Sequence, residues 1–325
     1  KGANKALIQG MKVEINDAAG IAASDFKLIL DEAKKKTGGE ITAGKVSDTV
    51  SALTTGKIGA NDLAGASSVT VKLDAGGGDK DLSGVQLDDR VTAIDLNGQA
   101  AVLDSQDLGN ATVTLSGGSY SVKDTSTKVA ALDKTLIKDK AITIVGSIDI
   151  ADITTIGTTK ESGAITYTAL TDSASNINGA LANIKAGVAV TVNDEATGAE
   201  LKAITDKVAA VKGGASLTAA KVTDEMAELI KVKTLLASKT VKLKANTTSN
   251  ASDYKAILDQ TPTSLTGEVV DTLTNLSAAV TLTGATKVTA QLESDGFDAT
   301  GKTLDSEVTH VDINGKKNVV FSVAN

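Results

Sequence analysis

The sequence predicts an α/β fold, in which short strands and helices alternate along an elongated, solenoid-like repeat array with interspersed β-rich segments. Three observations lead there. The chain repeats itself on two length scales, its apolar runs are strand-sized, and its core must be filled almost without aromatic residues. A string of small α/β domains is the alternative that the same pattern allows.

The long repeat is read directly. Ala23-Ser24-Asp25-Phe26-Lys27-Leu28-Ile29-Leu30-Asp31 returns as Ala251-Ser252-Asp253-Tyr254-Lys255-Ala256-Ile257-Leu258-Asp259. Val46-Ser47-Asp48-Thr49 returns as Val269-Val270-Asp271-Thr272, and Val69-Thr70-Val71-Lys72-Leu73-Asp74 as Val288-Thr289-Ala290-Gln291-Leu292-Glu293. Leu87-Asp88-Asp89-Arg90-Val91-Thr92-Ala93-Ile94-Asp95-Leu96-Asn97-Gly98 returns as Leu304-Asp305-Ser306-Glu307-Val308-Thr309-His310-Val311-Asp312-Ile313-Asn314-Gly315. The four matches keep their order at a separation of about 220 residues, the signature of a repeat architecture. The expectation is one and a half copies of a unit whose parent continues beyond both ends.

A shorter period of about 50 residues lies inside the long one. An apolar residue and then Asp recur at Asp124, Asp172, Asp224 and Asp271, with Asp48 at the matching place in the first copy. Apolar residues at helical spacing follow, as in Val129, Leu132 and Leu136. This reads as a strand ending at an Asp N-cap that opens a short helix. Second strands are expected at Ala141–Val145, Val188–Val192, Val241–Leu243 and Ala279–Leu282, and a helix at Ala196–Val211. From Ser67 to Ser121 the pattern changes to short strands with Gly turns, at Val69–Leu73, Val91–Leu96, Ala100–Leu103 and Ala111–Leu115. Asn97-Gly98 and Asn314-Gly315 read as hairpins or tight turns. The resulting segments are 1–66 (strand–helix), 67–119 (β-rich), 120–278 (strand–helix repeats) and 279–325 (an incomplete second β-rich copy).

Composition narrows the function. Of 325 residues 41% are hydrophobic but only 2% aromatic, so thin layers of Val, Ile, Leu and Ala form the core, as suits stacked repeats. The net charge is −7 and Arg90 is the single arginine. Nucleic-acid binders carry basic patches and stacking aromatics, so that class is set aside. The chain has no Cys, which excludes disulfides, Cys-zinc sites and thiol catalysis. No apolar run reaches the ~20 residues of a membrane span.

Three catalytic-looking patterns have plainer readings. Gly296-Phe297-Asp298-Ala299-Thr300-Gly301-Lys302-Thr303 fits a phosphate loop, but a strand rather than a helix is expected after it, and Glu293, Asp295 and Asp298 repel phosphate. Ser24-Asp25-Phe26-Lys27 and Ser252-Asp253-Tyr254-Lys255 fit Ser-x-x-Lys, with a Lys-Thr-Gly at Lys36; both read as helix starts. His310, the single histidine, reads as an exposed strand residue. No enzyme is expected. Acidic Gly-rich turns are the one ligand signal: Asp74, Asp79 and Asp81 in the first copy, Glu293, Asp295 and Asp298 in the second, hard oxygen ligands suited to Ca²⁺.

The segments Tyr120-Ser121-Val122-Lys123-Asp124-Thr125 and Ala141-Ile142-Thr143-Ile144-Val145-Gly146 resemble the Thr/Ala/Val-rich repeats of very large secreted bacterial surface proteins, S-layer and adhesin types included. The resemblance covers most of the chain in style. It implies an extracellular, cell-surface protein that assembles with itself into a layer, filament or coat. An adhesin stalk is the alternative, a polysaccharide-acting enzyme a remoter one, and cell-surface polysaccharide a further possible partner.

Overall fold

The structure is a computed structural model that describes residues 5–17, 20–54, 62–73, 80–109, 113–211, 213–277, 281–300, 304 and 306–320. It divides into two compact units, Lys1–Tyr167 and Thr168–Asn325. Among the described residues the fold is mixed α/β, with ten α-helices and mostly parallel sheets, none closed into a barrel.

The first unit contains β1 (Lys12–Ile15), α1 (Ala23–Ala33), β2 (Glu40–Ala43), β3 (Val46–Thr49), β4 (Val69–Lys72), β5 (Lys80–Asp81), β6 (Ala93–Asp95) and β7 (Ala100–Leu103). It continues through α2 (Ser105–Gly109), β8 (Thr114–Ser116), β9 (Ser119–Asp124), α3 (Ser126–Ala131), α4 (Lys134–Ile137), β10 (Ile142–Ile144), β11 (Ser147–Ile148), α5 (Ile150–Thr154) and β12 (Ile165–Thr166). β1 pairs with β2, one sheet runs β3-β4-β6-β8, and another runs β5-β7-β9-β10-β12, every pair parallel. From β4 to β9 the chain therefore alternates between two parallel sheets.

That alternation corrects the hairpin reading of Asn97-Gly98. The turn is tight, with Asn97 at φ 49° and Gly98 at φ 76°. It joins β6 to β7 in the other sheet, so the strands it connects are not partners. Asp95 accepts a hydrogen bond from Asn97 N at 2.9 Å and steers the chain round the corner.

The second unit contains β13 (Ala169–Asp172), α6 (Ala174–Gly179), β14 (Ala189–Ala196), α7 (Gly198–Ala210), β15 (Ser216–Asp224) and α8 (Met226–Lys231). Then come β16 (Thr240–Leu243), β17 (Thr248–Ser249), α9 (Ala251–Leu258), β18 (Ser264–Thr272), α10 (Leu273–Leu276), β19 (Ala285–Gln291) and β20 (His310–Asp312). The strands line up almost in chain order, β13-β14-β15-β16-β18-β19-β20, again all parallel, with β17 beside β18. The apolar positions stack in register: Leu170 beside Val190 beside Leu217, and Val222 beside Val241 beside Leu265. Val190, Val222, Val241 and Leu265 are buried, as parallel strands under helices require. α7 is as expected, closed by a capping box in which Thr197 and Glu200 satisfy each other's backbone amides. The strand expected at Ala279–Leu282 lies partly outside the described residues. Thr281 and Leu282 are not in a strand, and the strand is β19, where β-branched Thr286, Val288 and Thr289 fit a pleated surface better.

Candidate functional site

The recurring aspartates form the most regular polar constellation. They are not N-caps of the helices that follow them. α3, α6, α8 and α10 are preceded by Thr125, Ser173, Glu225 and Thr272 at the cap position, each one residue after the Asp. The carboxylate instead reaches back to a helix that precedes its strand. Asp48 accepts from Ala23 N at 2.9 Å, Asp124 from Ser105 N at 3.1 Å, Asp194 from Ala174 N at 2.7 Å, Asp224 from Gly198 N at 2.9 Å and Asp271 from Ala251 N at 2.9 Å. Each donor is the first amide of a helix, an orphan that needs an acceptor, and the negative charge meets the positive helix end. In Asp48, Asp124, Asp224 and Asp271 the other oxygen accepts from the next residue's own amide, at 2.7–2.8 Å.

The geometry follows from register. In every case the residue two before the helix start pairs with the residue two before the Asp: Ile21 with Val46, Leu103 with Val122, Asp172 with Val192, Ala196 with Val222, Ser249 with Val269. All five aspartates thus sit in Val-x-Asp. That spacing was the available sequence signal; it includes Asp194 and leaves out Asp172, which binds locally to Ser173 N and Asn176 Nδ2. Small residues receive the carboxylate. A Cβ on Gly198 would lie 3.2 Å from Glu228 O and 3.5 Å from Asp224 Oδ2. At Asp124 burial pushes the carboxyl up, but the hydrogen bonds from Ser105 and Thr125 outweigh it and hold it below its ordinary value.

Of the calcium candidates, Asp74 and Asp79 lie outside the described residues. Asp81 ends β5, accepts from Ser83 N at 3.0 Å and pairs with Lys123 Nζ at 2.7 Å, which holds its carboxyl below the ordinary value. Glu293 accepts from Thr274 Oγ1 at 3.0 Å, Asp295 from Lys317 N at 3.1 Å and Asp298 from Thr300 N at 2.8 Å. Each carboxylate serves its own turn or neighbour. Among the described residues no three His, Cys, Asp or Glu side chains converge on a common metal position.

The other motifs disperse likewise. Of the phosphate-loop pattern, Gly301, Lys302 and Thr303 are outside the described residues. Lys27 pairs with Asp31 at 3.0 Å and Asp62 at 2.9 Å, and Lys255 with Asp259 at 2.7 Å, so both Ser-x-x-Lys lysines point at aspartates. His310 is exposed on β20, its Nδ1 2.9 Å from Thr309 Oγ1.

Sequence reasoning missed a buried carboxyl beside a pocket. Asp107 on α2 is 4% exposed and lines a pocket of about 120 Å³ with Leu87, Asp88, Val91, Ile94 and Val113. Burial, and then the charge of Asp104, push it up to about 7. Neighbouring Asp88 is neutralised by Arg90, with Nε–Oδ1 at 2.7 Å and Nη2–Oδ2 at 2.8 Å. A perturbed carboxyl in a concavity is the usual mark of catalysis. This pocket is well below the ~300 Å³ at which ligand sites begin. A second, of about 170 Å³, lies between Lys242–Thr247, Thr266–Glu268 and Thr286 and is equally small. No family model, curated protein or solved structure matches the chain. No helix among the described residues is long and apolar enough to cross a membrane.

Proposed function

We propose that this is a structural protein of the cell surface, whose units are stretches of solenoid and which assembles with itself into a layer, filament or coat. The observation that carries the reading is the cross-rung use of the Val-x-Asp aspartates. In each of the five the carboxylate is spent on joining one strand to the helix before it. Parallel strands stacked nearly in chain order fit the same reading, since each rung then contacts only its neighbours. Calcium at Asp81, Glu293, Asp295 and Asp298 belongs to this reading as a ligand of the outer turns.

Negative-stain electron microscopy of the purified chain, with calcium and with a chelator, tests it. Ordered sheets or filaments are the expected result, and their loss on chelation would assign calcium to the acidic turns. Isolated rods under both conditions would replace assembly with the stalk reading. Compact particles would overturn the solenoid.

A further inference from the structure

Helix α2 is capped without the help of its own buried carboxyl. Gln106 N and Asp107 N donate to Asp104 Oδ1 at 2.9 and 3.0 Å. Ser105 donates to Asp124 through its amide at 3.1 Å and its hydroxyl at 2.6 Å. The opening amides of the helix are thereby met. Asp107 stands at the third helical position, where a carboxylate closes a capping box by accepting from the cap residue's amide. Here that contact, Asp104 N to Asp107 Oδ2, is 3.4 Å long, outside the roughly 2.7–3.2 Å of a well-made N–H···O bond. No donor among the described residues reaches Asp107 Oδ1. A carboxyl that is 4% exposed and so poorly served costs the fold more than a neutral side chain would.

What Asp107 faces is the pocket of about 120 Å³. Its apolar wall is Leu87, Val91 and Ile94, all buried, with half-buried Val113. Asp88 also lines it, but Arg90 occupies both of that carboxylate's oxygens. The side chains of Asp89 and Gln106 complete the lining, and neither has a hydrogen bond or ion pair among the described residues. The free polar groups are therefore two carboxylates and one amide, with no lysine or arginine lining the pocket among the described residues. The volume excludes a substrate of ordinary size and admits a single head group. Calcium takes about six to eight oxygens, and three carboxylates do not converge here. A cation that carries its own methylenes matches both the charge and the apolar wall.

We infer that this pocket binds a primary ammonium on a short alkyl stem, the head group donating to Asp107 Oδ1 and Asp89 and the stem lying against Leu87, Val91, Ile94 and Val113. Charge-assisted N–H···O bonds in a shielded site are among the stronger ones. A lysine side chain and a free alkylamine share this chemistry. The inference goes beyond the self-assembly reading and does not depend on it. The charged groups around Asp107 are Asp104 on its own helix, Asp88, Asp89 and Arg90 from residues 87–91, and Asp124 at the end of β9. Burial, and then the charge of Asp104, raise Asp107 to about 7. An ammonium beside it must lower that value, so binding strengthens as pH rises through 7.

The test titrates n-butylammonium into the full chain and follows the methyl resonances of Val91 and Val113 and the carboxyl carbon of Asp107. Saturable shifts are expected at pH 8, with a Kd on the order of 1 mM. Binding should be at least about tenfold weaker at pH 5, and the Asp107 titration midpoint should fall when the amine is bound. Asp107→Asn should weaken binding at least about tenfold. Asp89→Lys, at an exposed position, reverses the charge at the pocket and should do the same, which separates lost binding from a folding defect. Wild-type oligomers that dissociate in n-butylammonium would identify the natural stem as a lysine of a second copy. Saturable binding without effect on association would identify a free amine. n-Butanol that binds as tightly as the amine would reduce the site to an apolar hollow. Calcium that moves the same methyls at lower concentration than the amine would make it a metal site. An absence of saturable shifts would leave Asp107 facing water. Each of these last three results overturns the inference.

Discussion

The two copies of the long repeat, residues 7–98 and 235–315, make the same backbone-fixing contacts with the same residue types. Thr92 holds Val69 with its backbone amide and its hydroxyl, and Thr309 holds Val288 in the same way. Asp95 caps Asn97 N, and Asp312 caps Asn314 N. Asp48 receives Ala23 N, and Asp271 receives Ala251 N. What differs is the filling between these fixed points: Phe26 against Tyr254, the Arg90–Asp88 pair against Glu307, which accepts from Leu282 N. The comparison separates positions that set the path of the backbone from positions that occupy space. The first kind is held by Gly, Thr, Asp and Asn-Gly, and it should be intolerant in both copies alike.

The largest effect is expected at Gly65 and Gly284. They occupy one repeat position, with φ 99° and 89°. A Cβ would lie 1.9 Å from Ile41 O and 2.2 Å from Leu265 O, both backbone atoms that cannot step aside. Gly65→Ala and Gly284→Ala should each destabilise their own unit by more than about 3 kcal/mol. Urea unfolding followed by hydrogen exchange would locate the damage; a loss under about 1 kcal/mol at either site would break the equivalence of the copies.

Next come the aspartates that accept from a preceding helix. Asp48→Ala and Asp271→Ala should each cost about 1–3 kcal/mol, since a helix N-terminal amide loses its charged acceptor. Asn should recover part of this, because its single carbonyl oxygen serves one of the two amides. These carboxylates were half legible in the sequence. Their recurrence, the long repeat, the strand at Ala100–Leu103 and the exposed place of His310 could be read locally, from spacing and turn chemistry. Their partners could not. Asp224 and Gly198 are 26 residues apart, and nothing in the sequence near Asp224 says that a preceding helix, rather than the next, presents the bare amide. The turn at Asn97-Gly98 shows the same limit. Its φ > 0 requirement is local, but whether the strands it joins pair with each other depends on a second sheet formed with strands elsewhere. Asp107 left no signal, because Leu87 and Val91, which line its pocket, stand well before it in the chain.

Asp107 belongs to a segment for which the second copy has no described counterpart, and pH sharpens that asymmetry. Its folded value is raised to about 7 above an unfolded value near 4. A raised carboxyl favours the folded state fully below the unfolded value, and that advantage is lost as pH rises towards 7. Asp107→Asn copies the neutral form and removes the titration. The variant should therefore match wild type near pH 4 and exceed it by about 1–3 kcal/mol at pH 8, read as the gap between the two unfolding midpoints at each pH. A gap that does not change with pH would show that Asp107 carries no charge-dependent strain.

The smallest effect tests the space-filling class directly. Phe26 and Tyr254 are both fully buried at the same repeat position, and Tyr254 donates to Leu265 O at 3.0 Å. Burial, with the Glu307 charge behind it, holds the Tyr254 hydroxyl protonated well above its ordinary value, so it remains a donor throughout the pH range of the unfolding experiment. Tyr254→Phe removes one buried hydrogen bond and leaves the ring, which should cost about 1 kcal/mol and lower the melting temperature of that unit by about 2–4 °C. The exchange in the first copy is the sharper half. Ile41 stands where Leu265 does, so its carbonyl is the natural acceptor for a hydroxyl at residue 26. Phe26→Tyr should then be close to neutral or slightly stabilising. A loss of about 2 kcal/mol or more would mean that the hydroxyl finds no acceptor there, and that the two copies differ in backbone as well as in filling.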